Sequence, residues 1–258
     1  MNIGTIFLII VIIVLLYIVI RYIMSDVNTL SGLLSGTAMT TIPYTSLAQS
    51  SDGNNSSNFA YSIWFYVNDW NYRYGEPKVV FGRMSSQSSS TGATSISSIM
   101  NLGPCPAVVF GPISNNIDVA MTVYPGVETM TDSTSTSSTS ATHNCAIPNV
   151  PIQKWVNLLI SVYGRTLDVY LDGKLVKTCV LPGVAKINDS ADVYITPGGG
   201  FSGWTSKFQY YPNAIDPQTA WNIYQQGYGA SMLNNIFGKY QIKVSVVENG
   251  TESSSVTL

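Results

Sequence analysis

From Trp155 to Val180 the chain is written in period two, and this run limits the fold more than any other stretch. In Trp155–Tyr163 the apolar residues Val156, Leu158, Ile160 and Val162 alternate with Asn157 and Ser161. After Gly164-Arg165, Leu167, Val169 and Leu171 share one face of Thr166–Leu171, and Asp168 and Tyr170 the other. Asp172-Gly173 supplies the two left-handed positions of a tight hairpin, and Lys174–Val180 returns as the partner strand. The result is a three-strand antiparallel meander with one dry face. A dry face needs a second sheet to cover it, so the spacing predicts an all-β sandwich.

Other segments supply the remaining strands. Phe59–Val67, Lys78–Gly82, Ala107–Phe110 and Asp118–Tyr124 are rich in aromatic and β-branched residues. Asp192–Ile195 adds a short strand, and Lys207–Tyr211 another with Phe208 and Tyr210 inward. Ser85–Ser98 and Thr131–Thr142 are mostly Ser and Thr and bury too little to order themselves, so they are predicted as surface loops. Asp216-Pro217 is a helix start, with Asp as N-cap and Pro at the first helical position. That short helix is expected to turn Trp221 and Tyr224 toward the core and to stop near Gly227. Gln241–Val247 places Ile242, Val244 and Val246 on one face of a terminal strand before a polar tail. The domain is thus bounded at 58–229, with 230–258 as C-terminal strand and tail.

The N-terminus is different. Ile3–Ile20 carries no charge and only Gly4, Thr5 and Tyr17 interrupt its apolar character. As a helix it would span roughly 27 Å, about the thickness of a thin bilayer core. A signal peptide fits less well, because no basic n-region precedes the run and no small-x-small site follows it. Residues 1–24 are therefore read as a single transmembrane anchor, with Tyr17, Arg21 and Tyr22 at the membrane interface. Arg21 places a positive charge on the C-terminal side and favours a cytoplasmic domain. Sequons at Asn54, Asn55, Asn188 and Asn249 point the other way, although a chain this rich in Ser, Thr and Asn makes such triplets by chance. Residues 25–57 read as a polar stalk.

Trp155-Val156-Asn157-Leu158, the Tyr170-Leu171-Asp172-Gly173-Lys174 hairpin, Gly200-Phe201-Ser202-Gly203-Trp204, Ala214-Ile215-Asp216-Pro217 and Ile223-Tyr224-Gln225-Gln226-Gly227 follow one another in a recognisable order. In that order they resemble the laminin-G-like, concanavalin-A-like lectin and glucanase jelly roll, over roughly Phe59 to Gly229. The anchor joined to this domain, together with Lys177–Gly183, also resembles membrane proteins of large nucleocytoplasmic DNA viruses. The resemblance implies an antiparallel jelly roll with one short helix and a binding or structural role.

Only 10% of the residues are charged, against about 25% in soluble domains. With 12 basic and 14 acidic residues there is no basic face for nucleic acid. Glucanases of this fold place two carboxylates two residues apart on one strand. No Glu-x-Asp, Asp-x-Glu or Glu-x-Glu occurs here, Asp172 sits in a turn, and Glu76 and Glu128 stand alone. No catalytic or cofactor-binding residue is assigned. The best set for a cation is Asn188, Asp189 and Asp192, then Asp69 and Asn71, with solvated loop acids the simpler reading. Trp70, Tyr72, Tyr74 and Trp204 are the candidate glycan platforms. His143 and Cys145 lack a third group to orient a base or the four ligands zinc needs. Three cysteines leave at least one unpaired within the chain; a Cys105–Cys145 bridge is expected, with Cys179 buried on a strand.

These observations favour a non-enzymatic, membrane-anchored structural or interaction protein. Its expected partners are the bilayer, through residues 3–20, and neighbouring capsid or membrane proteins. Its expected place is a virion's internal membrane, with the domain facing the shell. The alternative is a glycan-binding adhesin or lectin on a membrane surface. Sparse charge suits a crowded assembly, where long-range repulsion would hinder packing.

Overall fold

The computed structural model describes residues 11–12, 14–16, 28–48, 57–85, 99, 101–124, 141–229, 243–248 and 251–257. In chain order the strands begin with β1 (Thr29–Ser31), β2 (Leu34–Ser35), β3 (Thr40–Ile42), β4 (Phe59–Asp69) and β5 (Lys78–Arg83). They continue with β6 (Ala107–Phe110), β7 (Ile117–Val123), β8 (Ala141–Ile147), β9 (Trp155–Tyr163) and β10 (Thr166–Leu171). After β11 (Lys174–Val180), β12 (Val193–Ile195) and β13 (Ser202–Tyr211) comes the helix α1 (Pro217–Gln225), then β14 (Lys243–Glu248) and β15 (Thr251–Thr257). Sheet A runs β1-β13-β4-β9-β10-β11, with β2 also pairing β13, and sheet B runs β3-β12-β5-β6-β7-β8. Every pairing is antiparallel, and the two sheets form a β-sandwich of the jelly-roll type.

Alternation decides which side chains meet between the sheets. Phe59, Tyr61, Ile63, Phe65 and Val67 of β4 point inward, as do Val156, Leu158, Ile160 and Val162 of β9. Sheet B answers with Phe81, Val108, Phe110, Val119 and Met121. Edge-to-face rings tie the layers together at Phe65–Phe110 (5.2 Å) and Phe81–Phe208 (5.0 Å). The meander holds as read: β10 sets Leu167 opposite Val162 on one side and Cys179 on the other.

Two small layers cover the outer faces. On sheet A, Leu159 and Tyr170 are buried beneath Ala220 and Ile223 of α1. Asp216 starts that helix as expected: its Oδ1 accepts from the Gln218 and Thr219 amides, and its Oδ2 from the Thr219 hydroxyl. On sheet B, Val79, Val109, Ala120 and Tyr194 pack with Met84 and Ile99.

Several expectations need correction. Cys145 is bonded to Cys179, not to Cys105, which is a buried thiol. The register explains it, because Cys179 lies opposite the inward Leu167 and so faces β8 across the sandwich. The stretch read as a stalk contributes β1 and β2 to sheet A and β3 to sheet B, since edge strands need few apolar residues. The predicted loop 131–142 gives way to β8 at Ala141. Within the tail, Thr251–Thr257 pairs with β14 in a separate two-stranded ribbon. Trp221 is 36% exposed, because Ala220 and Ile223 take the inward stripe of α1. Among the described residues no helix is long and apolar enough to cross a membrane. The proposed anchor is described only at Val11, Ile12 and Val14–Leu16, and Tyr17, Arg21 and Tyr22 lie outside the described residues.

Candidate functional site

The outer face of sheet A carries a continuous band of seven Trp and Tyr rings. It starts at Trp204 on β13, which meets Tyr66 of β4 at 5.7 Å, and Tyr66 meets Trp155 of β9 at 5.8 Å. Trp155 lies flat on Tyr228, with centroids 4.5 Å apart and planes 9° apart. Tyr228 meets Trp64 at 5.8 Å, Trp64 stacks on Tyr224 at 5.6 Å, and Tyr224 meets Trp221 at 5.4 Å. The band holds four of the chain's five tryptophans. Trp204 and Tyr228 are each 44% exposed. Trp64 is its buried floor, and the Trp64 Nε1 has no acceptor among the described residues.

Local structure fixes the band. Trp64 and Tyr66 occupy the outward positions of β4, between the inward Ile63, Phe65 and Val67. Gly203 brings β13 close to β4: a Cβ there would lie 1.9 Å from the Tyr66 carbonyl oxygen. The turn after α1 is held by the Ser206 hydroxyl, which donates to the Tyr228 carbonyl, and by Lys207 Nζ, which donates to Gln226 Oε1 at 2.7 Å. Gly173 lets the β10–β11 turn pass under α1, since a Cβ would come within 2.9 Å of the Trp221 ring.

Of the proposed glycan platforms, only Trp204 belongs to this band. Trp70 donates its Nε1 to the Ile113 carbonyl at 2.9 Å and lies under Lys78 Nζ, 4.7 Å from its ring centre. Burial holds the Lys78 ammonium below its ordinary pKa, and Arg73 adds to the effect while Glu76 opposes it. Tyr72 donates to the Gly199 carbonyl at 3.1 Å. The Arg73 guanidinium grips the Gly198 carbonyl and Glu76. Trp70 and Tyr72 therefore brace the rim, while Tyr74 projects from it.

The proposed cation ligands are not brought together. Asn188 and Asp189 line an open groove of about 650 Å³ with Asn101, Thr122 and Lys186. Asn188 Oδ1 is occupied by the amide and hydroxyl of Ser190, and Asp192 Oδ1 by the Tyr44 amide at 2.9 Å. Arg83 shapes this loop from beneath, donating to the Asp189 and Ala191 carbonyls. Asp69 Oδ1 accepts from the Asn71 amide. Among the described residues no group of three or more His, Cys, Asp or Glu side chains converges on one point. His143 pairs with Met121 across β7 and β8, two residues from the disulfide. Asn188 is the one sequon asparagine within the described residues, and it is exposed.

A second surface is β11, which ends sheet A. Six of its seven residues are exposed, and Leu175, Val176 and Val180 are 50%, 47% and 71% exposed. Lys174 and Lys177 flank them, and Lys177 Nζ donates to the Ala146 carbonyl of β8.

No protein-family model matches the sequence. No curated protein matches it either. Solved structures do resemble the fold. The botulinum neurotoxin serotype G binding domain is 12% identical over 76% of this chain and 46% of that one, with a TM-score of 0.46. The binding domain of botulinum neurotoxin DC, in complex with rat synaptotagmin II, is 13% identical over 76% of this chain and 42% of that one, with a TM-score of 0.46. The receptor-binding domain of the C/D mosaic serotype is 10% identical over 66% of this chain, with a TM-score of 0.43. This chain spans less than half the length of each of these domains.

The sequence contained a signal for the aromatic band that reading for one dry face passed over. Trp64 and Tyr66 put large rings on the face of β4 opposite its core residues, where a solvated strand would carry polar groups.

Proposed function

We propose that this protein is a non-enzymatic, membrane-anchored interaction protein built on a laminin-G-like, concanavalin-A-like sandwich. In this reading residues 3–20 sit in the bilayer and the sandwich links the membrane to neighbouring structural proteins. The virion setting, as a minor capsid or inner-membrane component, rests on the sequence resemblance to membrane proteins of large nucleocytoplasmic DNA viruses. The observation that carries the interaction role is β11. An edge strand with exposed Leu175, Val176 and Val180 offers backbone donors and acceptors and apolar side chains to an added strand. Lys174 and Lys177 favour a partner segment with acidic residues.

A photo-crosslinking residue at Val176 in the full chain tests this reading. The expected product is a crosslink to a second polypeptide in native membranes, lost when Leu175→Glu and Val180→Glu are added. A crosslink that is absent, or unchanged by those charges, removes β11 as the docking edge. Carbonate extraction tests the anchor, and recovery of the full chain in the soluble fraction would overturn it.

Glycan recognition is the second reading, and exposed Trp204, its ring tilted against Tyr66, is the observation that favours it. Binding of an oligosaccharide array that Trp204→Ala abolishes would promote it.

A further inference from the structure

We propose that the aromatic band on the outer face of sheet A is a bilayer contact, seating Trp204, Tyr228 and Trp221 among the lipid headgroups of the membrane that holds residues 3–20. The inference rests on the membrane-anchor reading and adds an orientation to it: sheet A toward the lipid, sheet B and its loops away.

Ring chemistry is the first argument. The described phenylalanines, Phe59, Phe65, Phe81, Phe110, Phe201 and Phe208, are all buried between the sheets. The outer band is made of Trp and Tyr alone. Burial selects for apolar rings without regard to a polar handle. A headgroup layer selects for rings that have one, because the N–H or O–H stays hydrated while the ring body enters the acyl boundary. Tyr61 and Tyr210 join the phenylalanines inside, but no described Phe joins the Trp and Tyr rings outside. That one-sided exclusion of rings without a polar handle is the pattern the second environment produces.

Charge is the second. The seven positions of the band carry no ionisable group that is charged at neutral pH. Lysines stand at its margins: Lys154 precedes Trp155 and bonds Asp172 at 3.0 Å, and Lys207 reaches Gln226 beside the turn that carries Tyr228. Long cationic side chains at the rim of an apolar surface can place their heads among lipid phosphates. Leu175 extends the face, since its cross-strand partner Tyr170 lies on the outer side beneath α1.

Reach is the third. Eight residues, 21–28, separate the apolar run from β1, and a chain of that length extends at most about 30 Å. Thr29 of β1 pairs with Gln209 of β13, the strand that bears Trp204. A tether this short holds the sandwich at high local concentration over the bilayer, so a modest affinity of one face suffices to orient it.

The test uses the full chain in phosphatidylcholine liposomes. Residues 3–20 contain no tryptophan, so all Trp emission comes from the sandwich. Flotation first reports the anchor. In floated vesicles, lipid brominated near the headgroup end of its acyl chains is expected to quench Trp emission relative to unbrominated lipid. The amount of emission quenched should shrink in Trp204→Phe/Trp221→Phe and stay unchanged in Trp70→Phe, which removes only an unquenched ring, with each variant retaining the native far-UV spectrum. Equal emission in brominated and plain vesicles that float would overturn the bilayer contact and leave the anchor standing. Failure to float would overturn both. Emission blind to bromine but shifted by added oligosaccharide would overturn the contact in favour of a glycan face.

Discussion

Cys145 and Cys179 join the last strand of sheet B to the last strand of sheet A, closing one side of the sandwich with a covalent bond. Their Cα atoms are 6.2 Å apart and 34 residues separate them in sequence. Cross-linking a loop of that size stabilises a domain by about 2–4 kcal/mol, chiefly by restricting the unfolded chain. Cys179→Ser should lower the urea midpoint by a corresponding amount, and Cys145→Ser equally. If the two variants unfold like the parent chain, the bond is absent in solution.

Cys105 should make the fold sensitive to alkali. Burial pushes its thiol from an ordinary 9.0 up to about 12, although Arg83 pulls it down. Between those values the unfolded chain releases a proton that the folded chain keeps. Stability therefore falls as pH rises from about 9 toward 12. Tyr61, raised further by its own burial, adds to the loss once pH passes 10. The melting temperature of Cys105→Ala should decline less steeply over that range than that of the parent, and parallel declines would assign the effect elsewhere.

Two glycines separate crowding from backbone strain. Gly203 has φ 153° and a Cβ there would strike the Tyr66 carbonyl, whereas Gly164 has φ 56° and open space around it. Gly164→Ala should cost about 1–2 kcal/mol from the left-handed dihedral alone. Gly203→Ala should cost more than that, because β13 must move off β4. Equal unfolding free energies for the two variants would contradict the close approach.

Asp172 does more than turn the hairpin. Its carboxylate accepts from the Asn157 amide at 2.9 Å and from Lys154 Nζ at 3.0 Å, and its own amide donates to the Asn157 carbonyl. Removing the acceptor leaves a half-buried amide unpaired, so Asp172→Ala should cost about 1–3 kcal/mol. Lys154→Met removes only a surface partner and should cost under about 1 kcal/mol. Denaturant titration of both variants checks the order.

Much of the sandwich was legible because its strands send every second, mostly apolar, side chain between the sheets. β6, β9, β10 and β11 run over the residues the pattern predicts. What escaped is peripheral. β8 reads Ala-Thr-His-Asn-Cys-Ala-Ile, and only Cys145 and Ile147 give its inner face away. β1, β2 and β3 are two or three residues long, too short for any period to show. The disulfide could not be chosen from spacing, since three cysteines permit three pairings and only the sheet register puts Cys179 across from Cys145. The aromatic band was hidden for a different reason: its rings come from β4, β9, β13, α1 and the turn after it, five places that meet only in the folded chain.

The way the chain enters the sandwich has a mechanical consequence. β1 and β2 lie on sheet A and β3 on sheet B, all three short, before the chain reaches β4 between β13 and β9. A pull at residue 28 meets these strands one after another and peels them singly, each rupture needing little force. Releasing Thr29–Ile42 pays out up to about 50 Å of slack. Tension that travels further reaches β4, which must slide against two full neighbours at once. The N-terminal side of the domain thus forms an extensible fuse ahead of a stiff body; under the proposed membrane anchor, it would let the sandwich yield to membrane movement without losing its core.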